Sequence, residues 1–99
     1  MTRLGITLAV QADIDAYLNN AGNTGRMWAL AIAKDGSAVA SASCPASGSY
    51  SGGLACDPVK GSAQELAKRE AIKRCGGPGD CVLLYVGVQK QGNIELVAN

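Results

Sequence analysis

Residues 27–44, MWALAIAKDGSAVASASC, decide how this chain is read. Two apolar runs flank Asp35-Gly36, the dipeptide favoured where a two-residue type I′ turn needs φ > 0 at both positions. A turn there predicts a β-hairpin and sets its register: Ala33 opposite Ala38, Ile32 opposite Val39, Ala31 opposite Ala40. Side chains alternate across a strand, so Trp28, Leu30, Ile32 and Val39 share one face. The other face carries Met27, Ala29, Ala31, Ala33, Ala38, Ala40, Ala42 and Cys44. A face of alanines gains little from meeting water. It suits the close approach of a helix.

The sequence supplies that helix over Ala63–Cys75. Ser62-Ala63-Gln64-Glu65 is a capping box, in which the Ser62 hydroxyl accepts from the Glu65 amide and Glu65 reaches back. Ala63, Leu66, Ala67, Ala71 and Cys75 form one apolar stripe. Glu65 with Arg69 and Glu70 with Arg74 are favourable i,i+4 pairs on the wet side. Lys73 and Arg74 suit the negative end of the helix dipole. Gly76 is expected to end the helix in the αL conformation.

Working outward, residues 8–19 predict a first helix, with Val10, Ile14, Tyr17 and Leu18 on one stripe. Asn19-Asn20-Ala21-Gly22 supplies stop signals, and residues 21–26 read as a polar linker. Cys81–Val88 is a nearly continuous apolar run, expected as a central strand buried on both faces. Gln89–Asn93 reads as a turn, and Ile94–Ala98 as the strand closing a second hairpin. The fold class is therefore α+β. An antiparallel sheet of about four strands in the order ββαββ is packed by one central amphipathic helix, with an additional N-terminal helix. The organisation expected is an N-terminal helix and linker over 1–26 and a single α+β domain over 27–99.

Composition narrows the function. The chain has 99 residues and a formal net charge of +1. Charges of both signs are interspersed, which argues against a nucleic-acid partner, since phosphate neutralisation needs a clustered basic face. No apolar run approaches a membrane span. There is no histidine, hence neither the commonest general base nor the commonest neutral metal ligand. The only aromatics are Tyr17, Trp28, Tyr50 and Tyr85. A core so light in volume gains from crosslinks. At the N-terminus, Met1-Thr2-Arg3 and Val10-Gln11-Ala12 loosely imitate the ends of a signal peptide. The stretch Leu4–Val10 between them is too short and is broken by Gly5 and Thr7. The start reads instead as a mature form, a domain cut from a longer chain, or a misplaced start.

Motifs of reaction chemistry do not survive inspection. Gly48-Ser49-Tyr50-Ser51-Gly52 imitates a nucleophile elbow, but its centre is Tyr and no histidine can act as base. Gly76-Gly77-Pro78-Gly79 follows a helix, where the dipole repels anions, and reads as a turn. Asp13, Asp15, Asp57 and Asp80 lack the dense spacing of a calcium loop and read as surface charges. No catalytic, cofactor-binding or metal-binding residue is assigned, and no cofactor is expected.

Cys44, Cys56, Cys75 and Cys81 remain. An even number in a short Gly/Ser-rich chain reads as a disulfide framework if the protein is exported, and four cysteines allow three pairings. Zinc would ask for Cys-x₂₋₄-Cys knuckles and redox work for Cys-x-x-Cys; neither spacing occurs.

The string Trp28-Ala29-Leu30-Ala31-Ile32-Ala33, then Asp35-Gly36, then the helix running into Cys75-Gly76-Gly77-Pro78-Gly79-Asp80-Cys81-Val82, resembles a family of small, mostly exported bacterial domains of unknown function. The family pattern is an aromatic-small-Ala-Ile-Ala strand, an acidic-Gly turn, an Ala-rich helix and paired cysteines flanking the helix–strand loop. The resemblance covers about residues 27–88. It implies export and a Cys75–Cys81 bridge, and no particular activity. The chain departs from the pattern in its long 45–61 segment and in Cys44 and Cys56. A helix end and a strand start let the Cβ atoms of Cys75 and Cys81 meet. Cys44 with Cys56 would tie the long segment back to the sheet.

The sequence thus predicts a non-enzymatic, disulfide-stabilised binding module outside the cytoplasm, periplasmic or secreted. Its working surface is the 45–61 loop, with Tyr50 and Leu54 as contact residues. The partner expected is a protein or a small extracellular ligand. The alternative is a small inhibitor or immunity-type protein that blocks an enzyme. A cleft in which Tyr50, Asp57 and Lys60 converge would instead mark an enzyme.

Overall fold

The computed structural model describes residues 2–22, 25–46, 56–57 and 59–98. In chain order the elements are β1 (Thr2–Ile6), α1 (Leu8–Ala21), β2 (Arg26–Ala33), β3 (Val39–Pro45), α2 (Ala63–Cys75), β4 (Cys81–Val86), β5 (Gln89–Lys90) and β6 (Ile94–Ala98). The expected α+β class and the antiparallel four-stranded sheet are present, with strand order β3-β2-β4-β5. No helix among the described residues is long and apolar enough to cross a membrane.

Alternation along β2 explains the layering. Leu30 and Ile32 point into a cluster with Val10, Ile14 and Tyr17 of α1 and Leu84 of β4. Ala29 and Ala31 point the other way, against Ala67 and Ala71 of α2. The two helices therefore cover opposite faces of one sheet. The alanine face works as the sequence suggested: Ala29, Ala31, Ala67 and Ala71 are all 0% exposed, because small side chains let the helix lie close to the strands.

The hairpin register is as expected, with Ala31 opposite Ala40 and Ile32 opposite Val39. The turn is not. Type I′ needs φ > 0 at Asp35 as well as Gly36, and no described residue other than glycine has positive φ. The connection is a longer turn in which Gly36 N–H donates to the Ala33 carbonyl at 2.8 Å and Ala33 N–H to the Ala38 carbonyl at 2.9 Å. The Asp35 carboxylate accepts from the Ser37 amide at 2.9 Å. Hydrogen bonding from Ser37, side chain first, holds the Asp35 carboxyl below the usual carboxylate range.

The largest correction concerns the two chain ends. Thr2–Ile6, for which no strand was expected, form β1 and pair in parallel with β6 from Thr2–Ile94 to Ile6–Ala98. β6 therefore closes no hairpin with β4. Leu4 and Ile6 enter the α1-side core, at 7% and 3% exposed, while Arg3, Gly5 and Thr7 stay exposed. That is the period-2 alternation of a half-buried strand. β1 and α1 share their core with β2 and β4. Gln89-Lys90, expected within a turn, pairs as a short edge strand with Tyr85-Val86. The tight turn is Gly87-Val88, with Gly87 at φ 62°.

α2 begins and ends where its sequence signals put it. The Ser62 hydroxyl accepts from the Glu65 amide at 3.2 Å. Glu70 pairs with Arg74 as expected, at 3.2 Å. Glu65, however, pairs with Lys68 one position short of Arg69, at 3.0 Å. Gly76 ends the helix with φ 142°, beyond the αL region but still where glycine is favoured.

Candidate functional site

The expected pairs of cysteines are bonded. Cys44 on β3 joins Cys56 with their Cα atoms 5.5 Å apart. Cys75, the last residue of α2, joins Cys81, the first of β4, at 6.2 Å. Hydrogen bonds shape the intervening turn: Gly77 N–H donates to the Ile72 carbonyl at 2.8 Å, and Cys81 N–H to the Gly77 carbonyl at 3.0 Å. The Cys44–Cys56 bridge is buried against Leu66 and Ala63 of α2. It therefore fastens the far end of the 45–56 segment to both the sheet and the helix. Just beyond it, the Asp57 carboxylate accepts from the Val59 amide at 3.0 Å and holds a turn that leaves Val59 exposed. Tyr50 and Leu54, the expected contact residues, lie outside the described residues, as does any convergence of Tyr50 with Asp57 and Lys60.

A concavity lies between α1 and β3. Asp13, Tyr17, Asn20, Trp28 and Ser41 line about 230 Å³ of space over Leu30. Tyr17 and Trp28 meet edge to face, with ring centroids 6.2 Å apart. The Trp28 indole N–H finds no acceptor among the described residues. The Tyr17 hydroxyl donates to the Gly87 carbonyl at 2.7 Å, which ties α1 across the sheet to the β4–β5 turn. Burial pushes the Tyr17 phenol up to about 12 from its ordinary 10.0. The neutral phenol is thus favoured in the folded state. Its contribution to stability is complete below pH 10.0 and is lost as pH rises from there towards about 12. In that window stability should fall by at most about 1.4 kcal/mol per pH unit from this group, most steeply midway. Denaturant midpoints measured at intervals across the window, for wild type and Tyr17→Phe, check this. The variant should be less stable at neutral pH and should lose part of the alkaline slope; an unchanged slope would remove the assignment.

A broader concavity among the described residues was not expected from the sequence. Two hollows of about 650 Å³ and 480 Å³ share Val82 and Leu83 of β4. Ile72 and Pro78 add to the apolar floor of the first, Leu4 and Ile94 to that of the second. Lys68, Arg69 and Lys73 line the first hollow and Lys34 the second. The uniform apolar run of β4 suggested burial on both faces. Instead Val82 and Leu83 are only partly buried. The alanine stripe of α2 packs mainly on β2 and β3 and leaves the outer part of β4 less covered. No sequence signal distinguishes a strand covered on both faces from one that a single short helix fails to reach across.

Among the described residues no charged side chain is buried, and no group of His, Cys, Asp or Glu is gathered to hold a metal ion. No family model, curated protein or solved structure matches the chain.

Proposed function

We propose that this chain is an exported, non-enzymatic binding module that presents its 45–61 loop to a protein or a small extracellular ligand. The observation that carries this reading is the Cys44–Cys56 bridge. It closes the loop into a ring on a rigid sheet–helix body, and binding residues concentrate on loops held by such scaffolds. Closure also reduces the ordering entropy lost when the loop engages a partner. Two disulfides in a chain of 99 residues suit an oxidising compartment. The resemblance of residues 27–88 to exported bacterial domains supports the same placement.

Tyr50 and Leu54 are the sizeable apolar side chains between Pro45 and Cys56, so they are assigned the contact. The test is a pull-down from periplasm or culture supernatant with the oxidised protein and with Tyr50→Ala/Leu54→Ala. The double variant is expected to keep the wild-type melting temperature and to lose its captured partner. Normal capture by the variant, or its unfolding, would overturn the assignment. A single stoichiometric enzyme in the eluate would identify the module as an inhibitor or immunity-type protein.

A further inference from the structure

We infer that this chain associates with further copies of itself, the outward face of α1 on one copy docking into the hollow beside α2 on the next. The contact is separate from the 45–61 loop. α1 and α2 cover opposite faces of the sheet, and their outward surfaces carry opposite charge. α1 holds Asp13 and Asp15, both exposed, and no basic residue. α2 holds four basic residues, of which Lys68 and Arg74 are paired with Glu65 and Glu70. Arg69 and Lys73, exposed and one turn apart, form no ion pair among the described residues. Arg69 reaches only the neutral carbonyl of Lys60, at 3.5 Å.

The hollow sets an apolar floor beside those two cations, for Ile72, Pro78 and Leu83 line it together with Arg69 and Lys73. Ile72 and Leu83 pack against the α2-side cluster, so this floor lies on one face of the sheet. α1 offers the complement. Leu8, Ala12 and Asp15 follow at i, i+4 and i+7 and share one outward stripe, while Val10, Ile14 and Tyr17 face the core. Leu8 is 76% exposed, and seating it on the floor removes apolar area from water on both copies. Asp13 and Asp15 then answer Arg69 and Lys73. The other carboxylates are committed or misplaced. Glu65, Glu70 and Glu95 are in ion pairs, and Asp35 and Asp57 accept from amides of their own turns. Asp80 lies in the same turn as Pro78, beside the hollow rather than across the sheet from it. Because the two surfaces differ and lie on opposite faces, each docked copy still presents one of each, and association runs head to tail past the dimer. Facing charges steer such a contact, and salt weakens it.

The test is sedimentation equilibrium of the oxidised protein over a dilution series reaching about 1 mM, so that a weak contact is populated. The average mass should rise past that of a dimer, and less so as salt is raised. Dilution should move the amide resonances of Leu8, Ala12 and Asp15 together with those of Ile72, Lys73 and Leu83. Asp13→Lys/Asp15→Lys and Arg69→Glu/Lys73→Glu change exposed residues and should keep the wild-type melting temperature. Each should weaken self-association by about tenfold, since like charges then face each other. An equimolar mixture of the two should regain it, with shifts on the same two faces, because each reversed surface then meets its opposite. Leu8→Gln should weaken both the wild-type association and that of the mixture. The Tyr50→Ala/Leu54→Ala variant should associate like wild type; its failure to do so would assign the contact to the loop instead. A monomer at every concentration, a plateau at the dimer, a mixture no stronger than its components, or shifts on only one of the two faces would overturn the inference. So would decanoate moving Ile72 and Leu83 in a protein that stays monomeric, which would make the occupant a lipid anion.

Discussion

Removal of both disulfides will bring this protein to the edge of unfolding. The Cys44–Cys56 bridge closes a span of 12 residues and the Cys75–Cys81 bridge one of 6. On the loop-entropy account these are worth about 3 and about 2 kcal/mol against the open chain. A domain of 99 residues has a total stability of about 5–15 kcal/mol, so the two bridges together rival its lower bound. The core offers little to replace them, since one side of the sheet is packed largely by alanines. Paired alanine substitutions avoid burying a hydroxyl at Cys44 or Cys81, which are 1% and 2% exposed. Cys44→Ala/Cys56→Ala should lose about 3 kcal/mol and Cys75→Ala/Cys81→Ala about 2, read from denaturant midpoints and slopes together, since an unbridged unfolded chain exposes more surface. The first pair also disturbs the contact with Leu66. If both double variants unfold at the wild-type midpoint, the bridges do not form in the native protein. The case for export would then go with them. Alkylation of the denatured, unreduced protein gives an independent reading: no thiol should be labelled.

Local signals explain which elements were legible. The capping box at Ser62, the stripe of α2 and the alternation in 27–44 are each complete within a few residues, and each element forms where its signal lies. Cys75 and Cys81, at the end of α2 and the start of β4, made their pairing legible, because a helix end and the next strand start have few ways to lie apart. Non-local pairing was not legible. Nothing in Ile94–Ala98 says that its partner is β1, at the other end of the chain, rather than β4 beside it. In Leu4–Val10 the short alternation of β1 runs directly into the helical period of α1, so the two together resemble one weak apolar run. The partial exposure of Val82 and Leu83 escaped notice for the same reason. Whether Leu83 is covered depends on where α2 crosses the sheet, a property of the assembled layers rather than of residues 81–88.

The Asp35-Gly36 turn shows how a correct local signal can conceal a different physical cause, and it leads to the sharpest test of the chain-end pairing. Gly36 has φ 78°, which already favours glycine. Its surroundings add a stronger demand: a Cβ there would run into the carbonyl of Gly5, with the Ile6 side chain also near. The turn is thus a seat for β1, and the obstructing atoms are backbone, so no side-chain rotation relieves the overlap. Gly36→Ala must carry the left-handed backbone, at about 1 kcal/mol, and also displace β1. Displacing β1 draws Leu4 and Ile6 out of the α1-side core, and full burial of each such side chain contributes about 1.5–3 kcal/mol. The expected loss is about 3 kcal/mol or more, with β1 and β6 amides losing exchange protection before those of α2. Gly92→Ala is the matched control. Its φ is 64° and a Cβ there meets nothing within 4 Å, so it should lose only the backbone part, about 1 kcal/mol. Equal losses in the two variants, with β1 protection retained in both, would show that Gly36 does not seat β1.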